Sequence, residues 1–284
     1  RPSSRRFIEV RRLLGDPAGL TGAILVVLAL VAAVLAPVLS PHAPDAMNQQ
    51  SQLKGPSLTF LLGTDELGRD LLSRMLWGAR VSLQVAVIAV TVSGIIGVAI
   101  GLAAGFFRGP LDGLLMRVMD IIFAFPAILL ALTMMAVLGS ELRNLILAIA
   151  IVYIPSFARV ARASTLVVGS ELYVEAARSV GAGNLRLMLR HIVPNITAPL
   201  VVQFTVGFAY AILIEAALSF LGLGVQPPTP SWGNMLFTGK TYMEISPWLV
   251  LAPGTAIMLT VLGFNLLGDG LRDALDPRLR MRGM

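Results

Sequence analysis

The chain has 284 residues, of which 56% are hydrophobic and 13% are charged, and its mean hydropathy is +0.81. Soluble domains carry roughly 25% charged residues, so this composition excludes a soluble protein and predicts an all-α polytopic membrane protein. The chain contains no cysteine, which excludes disulfides, thiolate metal sites and cysteine nucleophiles. Its two histidines, His42 and His191, lie too far apart in sequence to predict a metal centre, and we expect no metal site.

Six apolar runs are long enough to cross a bilayer, whose hydrocarbon core takes about 20 residues of helix. They cover residues 20–39, 82–107, 118–138, 142–160, 196–221 and 248–267. Residues 1–19 and 269–284 are then terminal tails, residues 40–81 separate the first two spans, and residues 82–268 form a five-helix core. Two long loops interrupt this core, at residues 161–195 and 222–247. The second holds three prolines near Trp232 and is expected to be ordered.

The basic residues predict the orientation of these spans. With the N-terminus inside, 16 of the 22 lysine and arginine residues lie on the cytoplasmic side and 6 lie outside. Membrane proteins keep an excess of positive charge on the cytoplasmic side, so we expect both termini and the 161–195 loop to be cytoplasmic. The 40–81 and 222–247 segments are then extracellular. The net charge of +6 reflects this orientation, and we expect no nucleic acid partner.

The 40–81 segment combines a polar motif with an apolar helical pattern. Thr64 or Asp65 can cap a helix there, and five apolar residues fall on one face of that helix: Leu67, Leu71, Leu72, Met75 and Leu76. This pattern predicts an amphipathic helix that lies at the membrane interface before the second span. The polar motif consists of Gly63, Thr64, Asp65, Gly68, Arg69, Asp70, Ser73 and Arg74.

Glycine recurs every four residues in the second predicted span, at Gly97, Gly101 and Gly105. Such a stripe of small residues permits close crossing of another helix, so we interpret it as a packing surface and not as a ligand site. Pro126 in the third span and Pro155 in the fourth free backbone carbonyls and can kink their helices.

Glu215 is the only carboxylate well inside a predicted span, where a charge is energetically expensive. It should therefore face other helices or water. One interpretation places it on a translocation route, near a substrate amine, and the other places it in a hydrogen-bonded helix interface. Asp120, near the cytoplasmic end of the third span, is expected to pair with a neighbouring arginine.

The 161–195 loop contains a polar island at residues 171–195, between two apolar runs. Glu175, Ala176 and Ala177 belong to a predicted short helix whose small side chains let another surface approach closely. Gly181 ends that helix, and Pro194 follows thirteen residues later. We expect a partner to dock on this loop.

This loop resembles the E-A-A-x3-G loop of permease subunits in bacterial ABC importers, with Glu175, Ala176, Ala177, Gly181 and Pro194 at the matching positions. The 63–74 motif resembles the signature of the second permease in dipeptide, oligopeptide and nickel importers. The resemblance implies a six-helix type I ABC importer permease fold. It also implies that the short helix docks into a cleft on an ATPase, where Glu175 meets a basic side chain or backbone amides.

The same resemblance implies the partners. We expect a homologous permease, two cytoplasmic ATP-binding subunits or one fused subunit, an extracellular substrate-binding protein and the lipid bilayer of a prokaryotic cell membrane. ATP and magnesium would be bound by the ATPase subunits, and this chain would hold no cofactor and catalyse no reaction. Peptides are the favoured substrate, with nickel or another small solute as the alternative. An ion-coupled secondary transporter is the rival class, but such proteins commonly use internal repeats, and the sequence has no convincing one.

Overall fold

The computed structural model describes residues 16–275, and every regular element in that range is a helix. The α-helices are α1 (Pro17–Val34), α2 (Ala36–Leu39), α3 (Leu71–Phe107), α4 (Gly109–Phe123), α5 (Ala127–Leu138), α6 (Leu142–Gly169), α7 (Leu172–Ser179), α8 (Asn184–Arg186), α9 (Thr197–Phe220), α10 (Trp232–Gly239) and α11 (Trp248–Leu275). A π-helix covers Leu187–Ile192, and 3-10 turns cover Gln49–Ser51, Val193–Asn195 and Lys240–Tyr242. The all-α prediction is confirmed.

Five helices are each long and apolar enough to cross a membrane, namely α1, α3, α6, α9 and α11. α4 and α5 pass the same test together but meet at 82°, so the described residues contain six candidate spans when this pair counts as one. The span expected over 118–138 is divided between two helices, because α4 ends at Phe123 and α5 begins at Ala127, and the kink expected at Pro126 is a complete break. Pro126 explains the break, since proline donates no N–H and disfavours helical backbone at the residue before it.

The helix predicted to start at Thr64 or Asp65 begins later. Asp70 is the N-cap, and its Oδ2 accepts a hydrogen bond of 2.9 Å from the backbone N–H of Ser73. From Leu71 the helix runs without interruption to Phe107, so the separate amphipathic helix expected before the second span is wrong. The chain turns too sharply before Asp70 to be helical, because Gly63 and Gly68 both adopt positive φ.

The spanning helices pack closely. A Cβ at Gly22 of α1 would lie 2.8 Å from the carbonyl oxygen of Gly263 in α11, and one at Gly207 of α9 would lie 3.0 Å from Val90 in α3. Phe157 of α6 is fully buried within the main hydrophobic core, which the four longest helices share with α1 and α5. The loops connect the helices of this bundle.

The loops divide between two ends of the bundle. α3 and α6 run in the same direction, and α7 follows α6 near Phe106 at the end of α3. α10, which was not expected within the 222–247 loop, packs against Gly78 near the start of α3. We call these the α7 end and the α10 end. Of the predicted tails, residues 17–19 and 269–275 belong to α1 and α11, and Asp16 is the N-cap of α1. The rest of both tails, residues 1–15 and 276–284, lies outside the described residues.

Candidate functional site

α7 presents most of its surface to solvent. Glu175 and Ala176 are exposed, and Ala177 is half-buried. Val174 is the one buried side chain of the helix, whereas Leu172 at its start is 82% exposed. A short helix outside the spans that leaves apolar and acidic groups uncovered is suited to contact another protein.

The C-terminus of α7 is fixed by glycine. Gly181 adopts a φ of +87°, and its N–H donates to the carbonyl oxygen of Arg178 at 3.0 Å. The N–H of Ala182 donates to the carbonyl oxygen of Ala177 at 3.1 Å. These two bonds form a Schellman motif, whose positive-φ residue is strained unless it is glycine.

Two contacts join α7 and its following residues to the spans. The guanidinium of Arg178 lies 5.7 Å from the ring centre of Phe106 in α3. The π-helix Leu187–Ile192 packs into a small apolar cluster formed by Leu102 of α3, Ala161 of α6, Ile192, Ile196, and Leu200 of α9. Pro194 lies exposed in the 3-10 turn that leads into α9. Together, α7 and the residues that follow it contact three spanning helices.

At the α10 end, the charged residues of the 63–74 motif bind one another. The Nε of Arg69 donates to the Oδ2 of Asp65 at 2.6 Å, and the Nε of Arg74 lies 3.3 Å from the same oxygen. The Nη1 of Arg74 donates a hydrogen bond of 3.1 Å to the carbonyl oxygen of Pro44. All three residues are buried, with Asp65 3% exposed, Arg69 6% exposed and Arg74 5% exposed. Because their side chains are buried, their ion pairs stabilise the interior of the 41–70 segment.

The other residues of the motif allow tight backbone approach. Gly63 adopts a φ of +84°, and a Cβ there would lie 2.5 Å from the carbonyl oxygen of Lys54. Gly68 adopts a φ of +74° and leaves no space for a Cβ. The hydroxyl of Thr64 donates to the carbonyl oxygen of Ser51. The motif thus folds the segment into a compact cap at the start of α3.

Glu215 is fully buried where α3, α9 and the start of α10 meet. Its Oε2 accepts a hydrogen bond of 3.0 Å from Ser82, and its Oε1 accepts one of 2.9 Å from Ser219. The backbone N–H of Trp232 donates to the hydroxyl of Ser82 at 3.3 Å. This geometry favours the helix-interface interpretation, because both carboxyl oxygens are engaged and neither faces an open route.

The glycine stripe of α3 faces α6. A Cβ at Gly97 would lie 2.6 Å from the carbonyl oxygen of Ile154, and one at Gly105 would lie 2.9 Å from that of Arg162. Gly101 leaves no space for a Cβ beside the backbone of α6. The two helices therefore touch along their backbones over two turns, which is the use of small residues that membrane helices make.

A cavity of about 780 Å³ opens beside the break between α4 and α5. Its wall is built from the break itself and from α6 and α9, and it is mostly apolar. Four polar side chains interrupt that wall: Tyr153, Ser156, Gln203 and Tyr210. Sequence reasoning missed this group, because residues of two helices meet here only through the fold.

Two protein-family models match this chain. Residues 97–281 match the family described as binding-protein-dependent transport system inner membrane component. Residues 7–56 match the N-terminal TM domain of oligopeptide transport permease C. The chain belongs to the family of binding-protein-dependent transport system inner membrane components. The expected resemblance to an ABC importer permease is confirmed.

Curated relatives of this permease cover nearly its whole length. It is 44% identical to the dipeptide transport system permease protein DppC of Alkalihalophilus pseudofirmus, over 95% of this chain and 89% of the relative. It is 48% identical to the di/tripeptide transport system permease protein DppC of Pseudomonas aeruginosa, over 92% and 88%. The glutathione transport system permease protein GsiD of Escherichia coli is 47% identical, over 95% and 89%.

Solved structures share the fold of the permease. A chain of the MetNI methionine ABC transporter in an inward-facing conformation aligns with a TM-score of 0.60 at 18% identity, covering 71% of this chain and 96% of that chain. A chain of an amino acid ABC transporter aligns with a TM-score of 0.53 at 17% identity, covering 71% and 94%. At this identity the likeness shows a common helical arrangement, that of ABC importer permeases.

Two ion pairs of the permease connect α4 to α6. The Nη2 of Arg159 lies 2.8 Å from Asp120, which agrees with the expected arginine partner. Arg162 binds Asp112 through two hydrogen bonds of 2.5 and 2.6 Å, a pair that sequence reasoning missed. Asp112 lies in the first turn of α4, and its partner is 50 residues away in the chain, so the pair is formed only by the packing of α4 on α6.

Proposed function

We propose that this permease forms one half of the translocation pathway of an ATP-driven importer of short peptides. The names of its full-length relatives, which refer to dipeptides, tripeptides and glutathione, support this substrate class over nickel or another small solute. Its termini and α7 face the cytoplasm of a prokaryotic cell, and the α10 end faces outside. The excess of basic residues at the termini and near α7 supports this orientation.

The single observation that carries the coupling role is the form of α7. It is a short, mostly exposed helix with Glu175 uncovered, and Gly181 fixes its end. The proposed partner is a cytoplasmic ATP-binding subunit, which receives α7 in a cleft and contacts Glu175 through a cation or backbone amides. ATP and magnesium are held by that subunit, and the permease itself carries no catalytic group.

Movement of α7 has a defined route into the membrane. Arg178 contacts α3, and the π-helix after α7 packs on α3, α6 and α9. Closure of two ATP-binding subunits, or of one fused subunit, would favour the permease conformation that fits the closed form. A homologous permease supplies the other half of the pathway, and an external binding protein delivers the peptide at the α10 end.

Replacement of Gly181 tests the coupling role. In a reconstituted complex, Gly181→Ala should lower peptide-stimulated ATP hydrolysis and uptake by about tenfold, because a Cβ strains positive φ by roughly 1–2 kcal/mol. Gly183→Ala is the matched control, since Gly183 has a φ of −67° and nothing within 4 Å of the position of its Cβ. Equal losses in both variants would contradict a specific role for the end of α7.

A second preparation tests the rival class, an ion-coupled secondary transporter. Vesicles that contain the permease pair without ATP-binding subunits should take up no peptide. Uptake driven by an ion gradient in those vesicles would overturn the proposal and favour a secondary transporter.

A further inference from the structure

The cavity beside the α4–α5 break lies at the middle depth of the bundle. Phe204 and Phe157, neighbours of its wall, contact α3 at Gly94 and Gly97 respectively, close to the midpoint of the apolar stretch of that helix. Irregular backbone at membrane depth is tolerated only where protein buries it or where it lines a water-filled space. The break therefore belongs to an interior surface of the assembled complex.

The polar side chains on the cavity wall make no hydrogen bond within the described range, residues 16–275. Tyr153 is only 9% exposed and lines the cavity, and its hydroxyl makes no hydrogen bond to any residue within 16–275. Ser156, Gln203 and Tyr210 line the same space, and their side chains make none to that part of the chain either. The rings of Tyr153 and Tyr210 are 6.4 Å apart, so the two phenols belong to one patch.

The N-terminus of α5 adds backbone donors to this patch. Pro126 is its N-cap, and no side chain caps the helix. The first paired amide is that of Leu130, which donates to the carbonyl oxygen of Pro126 at 3.0 Å. The preceding residues Ala127 and Ile128 line the cavity, and their amides, in the first turn of α5, have no intrahelical partner. An uncapped helix N-terminus carries a partial positive charge and favours an anion.

The chemistry of the wall selects among possible occupants. A lipid chain accepts no hydrogen bond, so it would leave these donors unsatisfied at a cost of several kcal/mol. The cavity wall includes no aspartate or glutamate, so a substrate ammonium group has no counter-charge there. Hydroxyls, an amide and backbone N–H groups together suit a carboxylate.

We propose that this cavity is a subsite for the C-terminal carboxylate of the peptide in transit, with the Tyr153 hydroxyl and the amides at the start of α5 as donors. The proposal rests on the proposed function, since it assumes that peptides pass this permease. Tyr210 and Gln203 contact the carboxylate or the last peptide group, and the apolar remainder of the wall receives the C-terminal side chain. Peptides with a free C-terminus are then preferred by the membrane part of the transporter.

The test compares tri-alanine with tri-alanine amide in proteoliposomes that hold the complete complex and its binding protein. Tyr153→Phe removes one hydroxyl and should lower tri-alanine uptake by about tenfold, the worth of one hydrogen bond to a charged group. Uptake of the amide should change by less than about twofold. The same binding protein delivers both probes, so its own preference cancels in the variant-to-wild-type ratio. Tyr242→Phe, at the α10 end, is the matched control and should leave both rates unchanged.

A second measurement applies if the binding protein does not deliver the amide. The chain has no cysteine of its own, so Gln203→Cys provides one reporter thiol in this subunit. Tri-alanine should slow modification of that thiol by a small charged methanethiosulfonate in the purified complex, and tri-alanine amide should not. Equal protection by both probes, or equal loss of both uptake rates in Tyr153→Phe, overturns the carboxylate subsite. Failure of the wild-type complex to take up any peptide overturns the proposed function instead.

Discussion

At the scale of single residues, Glu215 illustrates how a carboxyl group is accommodated inside a membrane bundle. Both of its oxygens accept hydrogen bonds from serine hydroxyls, one on its own helix and one on α3. The donor on α3 also accepts the N–H of Trp232, so three elements are joined by a chain of hydrogen bonds. Buried networks of this kind stabilise a structure when all of their members are satisfied.

Substitution of Glu215 should separate hydrogen bonding from charge. Glu215→Gln keeps an acceptor and should lower the unfolding temperature of the purified permease slightly, whereas Glu215→Leu leaves two buried hydroxyls unpaired at a cost of about 1–3 kcal/mol. Thermal unfolding in detergent measures the difference. Ser93→Ala is the control, because the hydroxyl of Ser93 bonds only to carbonyls of its own helix. Identical losses in the two Glu215 variants would argue against the network.

The sequence identified Glu215 and the 63–74 motif as unusual but could not assign the partners of Glu215. Ser82 is 133 residues away from Glu215, so only the packing of α3 against α9 makes it a donor. Asp65, in contrast, binds arginines four and nine residues ahead, and its role in shaping the segment could have been inferred from that proximity.

At the scale of elements, the two prolines of the third and fourth spans have different effects. Pro126 is exposed and separates α4 from α5, while Pro155 is buried and α6 continues through it. The sequence predicts that each weakens its helix. Whether the helix breaks depends on its neighbours, and α6 is held along its length by backbone contact with α3.

The backbone contact between α3 and α6 predicts that a larger residue at Gly101 lowers the stability of the permease. Gly101→Ala places a methyl group against the backbone of α6 and should destabilise the permease by about 1–3 kcal/mol through overpacking. Gly113→Ala in α4 is the matched control, because nothing lies within 4 Å of the position of its Cβ. Unfolding temperatures of the two variants in the same detergent should differ, and equal temperatures would contradict close packing of α3 on α6.

At the scale of the whole molecule, the number of apolar runs predicted the fold class and the spanning helices well. α10 was not predicted, because the prediction relied on long apolar runs and this helix has only eight residues, in a loop that contains prolines. Pro126 indicated a kink in the third span, but the sequence did not predict that the bend would reach 82°. The cavity could not be foreseen at all, since its polar residues come from separate helices and stand out only when those helices are assembled.

The orientation of the whole molecule can be measured directly. Leu58→Cys lies in the 41–70 segment at a position that is 100% exposed, and Leu172→Cys lies in α7 at one that is 82% exposed. A membrane-impermeant maleimide should label the first in intact spheroplasts and the second only in inverted vesicles. The wild-type chain, which has no cysteine, gives the blank. Labelling of both from one side would refute the proposed topology.

The length of α3 has a consequence for how solute is received. Its 37 residues extend about 55 Å, while the oily part of a bilayer is about 30 Å thick. Even a tilted helix of this size projects beyond the lipid, and its first turn contacts the 41–70 segment through Ser73 and Arg74. Under the proposed orientation, a binding protein that approaches the α10 end would meet this folded segment before it meets the lipid surface.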